Sequence, residues 1–219
     1  VAGRETKFFY PIRDTEHPGG MQAFGDFLAI ASERPERAGS SFIDIYDFRS
    51  GPGAGRQLQR FVLPTPTASF PTSRIIGGVG MTTLRDGRFL MFVLGQDKNP
   101  QGWFFVSNNS NLTANTQWLP LSHAKGDSSW GSYQNVTLIT ECTSGRLFVL
   151  ATGNDGFASD IFPGTNEADL FRLSAGSAGQ VVMTRVARRA FDDGDDGFST
   201  FRPAGTGHRD KAGKLIFYC

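Results

Sequence analysis

The sequence predicts an all-β fold, a β-propeller built from four-stranded antiparallel blades. Three observations predict it. Phenylalanine, with 20 residues, outnumbers leucine, and glycine reaches 27; this balance suits pleated strands joined by tight turns. Short runs of alternating apolar and polar side chains follow one another with no crossover helix between them, which argues against a parallel α/β sheet. A glycine-led hairpin also recurs along the chain at a period of about sixty residues.

The first hairpin is HPGGMQAFGDFLAIASE (17–33), with Gly25 in its turn. GGVGMTTLRDGRFLMFVLG (77–95) follows with Gly87, YQNVTLITECTSGRLFVLATG (133–153) with Gly145, and RPAGTGHRDKAGKLIFYC (202–219) with Gly213. Two further strand-like runs come after each of the first three: SSFIDIYDF (40–48) and RQLQRFVLP (56–64), GWFFVSN (102–108) and TQWLPLS (116–122), EADLFRLS (167–174) and QVVMTRVAR (180–188). FIDIYDF reads as a half-buried strand, with Phe42, Asp44, Tyr46 and Phe48 on one face and Ile43, Ile45 and Asp47 on the other. Over 183–191, Met183, Val186, Ala187 and Ala190 also fit a helical period; the place of this run in its unit makes it a strand.

The units span roughly 17–65, 75–122, 131–190 and 200–219, within one domain over 1–219. TKFFYPI (6–12) reads as an outer strand left from an earlier blade. It closes a four-bladed ring with the final half-unit, or the chain is a piece of a larger propeller; the abrupt stop at Cys219 favours the second. In a propeller the first strand of each blade lines the axis, where glycine lets backbones approach. Gly19 and Gly20, then Gly77, Gly78 and Gly80, then Gly205 and Gly207 hold that place, with Gly131 and Ser132 in the third unit. A β-sandwich, the competing architecture, gives no reason for glycine to recur at one phase.

The charge balance excludes several function classes. A net charge of +1 and basic runs offset by nearby acids give no groove for nucleic acid. No apolar run approaches the roughly 20 residues that span a bilayer as a helix. Cys142 and Cys219 are too few for a disulfide framework or a thiolate metal site. Three triplets, at Asn108, Asn111 and Asn135, match the glycosylation acceptor pattern; such triplets are frequent by chance in Asn- and Thr-rich segments.

A propeller ligand site forms where the channel opens and needs a few placed polar groups. The segments leading into the inner strands offer His17, Gln22, Arg74, Trp130, Gln134, Asn135 and Arg202. Their amides and guanidinium groups can hydrogen-bond sugars, carboxylates or peptide ends, and Trp130 can stack on a sugar face. A metal-dependent hydrolase needs carboxylates there, yet 19–24, 77–84, 133–140 and 202–207 contain no Asp or Glu. His17, His123 and His208 have no nucleophile or carboxylate tied to them by spacing. FDDGDDGFS (191–199) echoes the start of a calcium loop but lacks the distal Glu; it reads as a solvated turn, with a weak calcium site as the alternative.

HPGGMQAFGDFLAIASE, WGSYQNVTLIT (130–140) and EADLFRL (167–173) together resemble a group of mostly bacterial, often exported β-propeller-like proteins without assigned activity. The resemblance implies a propeller fold and an extracytoplasmic location, and brings no catalytic residues. The sequence therefore points to a non-catalytic recognition scaffold with no cofactor, binding a small polar ligand, glycan or peptide at the channel mouth. The alternative is a hydrolase or lyase acting on a lactone, ester or sugar, calcium-dependent through a bound divalent ion or served by a carboxylate that reaches the channel from the loop at 155–166.

Overall fold

A computed structural model describes residues 17–33, 41–51, 55–65, 67, 76–95, 101–125, 130, 133–154, 166–191, 206–209 and 215–218. The run at 6–12, the loop at 155–165 and the acidic run at 192–199 lie outside them. The protein is all-β, built on three four-stranded antiparallel sheets. The first sheet meanders through β1 (His17–Phe24), β2 (Phe27–Glu33), β3 (Phe42–Asp47) and β4 (Arg56–Val62). The second holds β5 (Ile76–Thr83), β6 (Phe89–Gly95), β7 (Gln101–Ser107) and β8 (Trp118–Lys125); the third holds β9 (Tyr133–Thr140), β10 (Leu147–Asn154), β11 (Asn166–Ala175) and β12 (Val181–Phe191). A two-stranded ribbon of β13 (Thr206–Arg209) and β14 (Leu215–Tyr218) follows.

Turn chemistry sets these hairpins. Gly25, Gly87 and Gly145 sit in the first turn of their sheets with φ of 54, 83 and 66°, left-handed values that glycine takes without steric cost. The run with a competing helical period is strand β12, paired with β11 along its length. Pairing to a neighbour outweighs a helical period on an exposed outer strand.

Two apolar layers join the three sheets. Ile43, Ile45 and Ala29 of the first sheet pack with Met91, Trp103 and Phe105 of the second. The opposite face of the second sheet sends Phe92, Leu94 and Phe104 against Val136, Leu138 and Phe171 of the third. Covered on both sides, β6 is buried at every residue. At roughly 1.5–3 kcal/mol for each fully buried large apolar side chain, these layers are the main source of stability.

β3 corrects the half-buried reading of FIDIYDF: all six of its residues are buried. Ile43 and Ile45 enter the layer toward the second sheet, while Phe42, Asp44 and Tyr46 are buried on the other face. A buried carboxylate needs charged and hydrogen-bonding partners. Asp44 has them on the neighbouring strand: Arg60 donates from Nε and Nη2 at 2.8 Å each, and Gln57 Nε2 donates at 2.7 Å. The Arg60 guanidinium also lies 3.6 Å from the centre of the Phe42 ring. Polar-looking alternation is thus compatible with full burial where the fourth strand returns a cation.

The three first strands converge. A Cβ on Gly19 would stand 2.8 Å from the Gly77 carbonyl oxygen, and one on Gly20 would stand 2.8 Å from both Asn135 Cα and the Gln134 carbonyl oxygen. These gaps exclude any larger residue without backbone movement. β1, β5 and β9 run side by side in one direction, because contacts progress in step from Gly19–Gly77 and Gly20–Asn135, through Gln22, to Thr82–Thr140. β13 adjoins both β1 and β9.

Candidate functional site

Convergence creates two ends, one near the paired glycines and one near the hairpin turns. Five residues of extended β9 separate Asn135 from Thr140, about 16 Å. Of the sequence-predicted residues, Gln134 and Asn135 lie at the glycine end, against Gly20. Arg74 and Arg202 lie outside the described residues, and His17 is placed on β1 by its backbone alone.

Gln22, Trp130 and Asn135 are packed within the protein. Gln22 is 5 % exposed; its Nε2 donates to the Leu138 carbonyl at 3.0 Å, and its Oε1 accepts from Met81 N and Leu138 N at 2.8 Å each. One carboxamide from β1 therefore joins β5 and β9. Trp130 is half-buried in the layer between the second and third sheets, with ring centres 6.2 Å from Tyr133 and 5.9 Å from Phe171. Asn135 is 1 % exposed and lies against Gly20; its Oδ1 has no hydrogen-bond partner. Burial on β9 also removes Asn135 from consideration as a glycan acceptor, whereas Asn108 and Asn111 are exposed. Gln134 is half-buried beside it.

The turn end holds a cavity of about 540 Å³ that the sequence reading did not anticipate. Its apolar part is a trio of rings: Phe24 and Phe27 stack at 5.6 Å, and Phe89 meets them edge-on at 6.0 and 6.4 Å. Thr82, Thr83 and Thr140, from the ends of β5 and β9, supply hydroxyls. Asp26 in the β1–β2 turn and the exposed thiol of Cys142 complete the lining. The first strands of all three sheets thus contribute. The available signal was the recurrence of threonine where β5 and β9 end, in MTT and LIT, beside a turn flanked by phenylalanine in FGDF.

The buried carboxylates Asp44, Asp47 and Asp169 lie on the third strands of the first and third sheets. Arg49 binds Asp47 through Nε at 3.0 Å and Nη2 at 2.7 Å, and holds the Asp47 pKa at about 2. Burial alone would raise the Asp169 pKa, but hydrogen bonds from Arg188 and Tyr133 overcome it and keep the group below its ordinary value. Arg188 donates to Asp169 from Nε at 2.8 Å and Nη2 at 2.7 Å, and the Tyr133 hydroxyl also donates to it. Burial, reinforced by the charge of Asp44, pushes the Tyr46 hydroxyl up to about 12. Asp44 and Asp169 are therefore structural anions, each tied to an arginine of the next strand. Among the described residues, no three His, Cys, Asp or Glu side chains gather closely enough to hold a metal ion.

Compared with protein-family models, the chain matches none, and compared with curated proteins it matches none. The functional reading consequently rests on geometry.

Proposed function

We propose that the chain is a recognition scaffold of the propeller type, with the three sheets as blades about a common axis and a small ligand bound at the turn end of that axis. Support for the blades comes from the convergence of β1, β5 and β9, from glycine at their closest approaches, and from β13 beside both β1 and β9. The observation that carries the binding reading is the cavity formed jointly by the ends of all three inner strands. It combines an apolar floor with a few placed polar groups, the usual composition of a small-molecule site. The engagement of Gln22 and Trp130 within the protein moves the favoured mouth from the glycine end to the turn end.

Nuclear magnetic resonance with a fragment set of aromatic amines, aromatic acids, monosaccharides and dipeptides tests this reading. The expected result is a set of shifts confined to the Thr82, Thr83 and Thr140 amides and abolished by Phe89→Ala. Shifts centred instead on Gly20 and Asn135, or no shift with any fragment at millimolar concentration, would overturn it.

A further inference from the structure

Which ligand chemistry suits the turn-end cavity follows from counting its protons. Thr140 Oγ1 donates its single hydroxyl proton to the Thr83 carbonyl at 2.9 Å. Thr82 Oγ1 lies 2.8 Å from Thr140 Oγ1, so Thr82 must be the donor of that bond. Both hydroxyl protons are thereby taken, so toward a ligand either oxygen can only accept.

Asp26 is the charged side chain on the lining, and a carboxylate likewise only accepts. Of the cations at this end, Arg49 is bound to Asp47, feels the charge of Asp26 and lies 5.3 Å from the centre of the Phe27 ring, while Arg85 donates to the Ser144 carbonyl. The side-chain donors left on the lining are the Thr83 hydroxyl and the weak thiol of Cys142. The cavity therefore combines three aromatic rings, a set of acceptors and one negative charge.

We infer that it selects a ring-bearing amine: an apolar or aromatic ring seated on Phe24, Phe27 and Phe89, with an ammonium group directed to Asp26 and the threonine oxygens. Ring burial supplies the affinity. The ammonium supplies selectivity, because an anionic head group would meet the acceptor oxygens of Thr82 and Thr140 and the Asp26 carboxylate on the lining. This inference rests on the binding reading above, since it names the ligand class of the same cavity.

The test titrates 2-phenylethylamine and 3-phenylpropanoate separately into wild-type protein, and 2-phenylethylamine into Asp26→Asn, reading the Thr82 and Thr140 amide shifts. The amine should bind more tightly than the acid, and Asp26→Asn should weaken amine binding by about threefold, the scale of an exposed ion pair. The acid should be unaffected or improved by the same substitution. Equal or tighter binding of the acid to wild type at these amides overturns the amine class while leaving the site intact. Shifts from neither probe overturn both.

Discussion

Gln22 and Leu138, 116 positions apart in the chain, form a two-way hydrogen-bonded pair: the Gln22 carboxamide donates to the Leu138 carbonyl and accepts from the Leu138 amide. The same Gln22 oxygen accepts from Met81 N. A side chain here does what a ladder partner does in a sheet, between strands that belong to three different sheets. Gln22→Leu leaves two buried N–H groups and a carbonyl without partners, each costing on the order of 1–3 kcal/mol. Chemical denaturation should show a loss of about 3 kcal/mol or more, and a loss within error of zero would mean that Gln22 holds nothing together.

Gly20 and Gly25 make a matched pair of controls on β1 and its turn. Gly20→Ala forces a methyl group against the Asn135 backbone, and overpacking of this kind costs about 3 kcal/mol when the backbone must move. Gly25→Ala meets open space but a φ of 54°, so its cost is the left-handed strain alone, about 1 kcal/mol. Denaturant midpoints should therefore rank wild type, Gly25→Ala, Gly20→Ala. The reverse order would place the strain at the turn and free the axis from crowding.

Much of this architecture is legible in the sequence, and the reasons for the remainder are physical. The strand order of each sheet follows from alternation and from the turn glycines, as Gly25, Gly87 and Gly145 show by their positive φ. The crowding at Gly19, Gly20 and Gly80 follows from glycine placed ahead of or within apolar runs. Burial of Asp44 is not legible, because only the fold brings Arg60 and Gln57 across from β4 to neutralise it. The sequence presents Gln22 as a polar group available to a ligand; nothing local to MQAF reveals that Leu138 will stand opposite. The turn-end cavity is illegible in the sequence for a related reason. Asp26, Thr82 and Thr140 come from three hairpins, and each alone resembles an ordinary turn or strand end.

The pair Arg188–Asp169 is asymmetric in exposure. Asp169 is fully buried, while the Arg188 side chain is 38 % exposed. Asp169→Asn leaves an arginine that can turn to water, whereas Arg188→Met leaves a buried carboxylate with Tyr133 and a more distant Arg185. Arg188→Met should thus be the worse substitution at neutral pH, by about 2 kcal/mol. Its deficit should shrink on acidification, because losing Arg188 lets burial raise the Asp169 pKa, and a carboxyl with a raised folded-state pKa gains stability as it takes up a proton. Thermal melts of both variants at neutral and mildly acidic pH check the order and its convergence.

Acid stability of the wild type depends on carboxylates held in the opposite sense. The Asp47 pKa is lowered to about 2 by Arg49, so its contribution is complete above the unfolded-state value near 4 and is lost as pH falls from there toward about 2. Asp169 is lowered as well and adds to the same acid limb. Asp47→Asn should flatten the fall in melting temperature over this window and leave the slope above pH 5 unchanged. An unaltered acid limb would show that the Arg49–Asp47 pair does not carry it.

Amide hydrogen exchange at Met81 and Leu138, compared between wild type and Gln22→Ala, tests most directly whether three sheets are held on one axis. Both amides should exchange in the slowest class of the wild-type protein, and both should lose protection together in the variant while the β6–β7 ladder retains its own. If the two amides kept their protection without the Gln22 side chain, or exchanged independently of each other, β1, β5 and β9 would not share a common axis, and the cavity at their turn ends would have no joint wall.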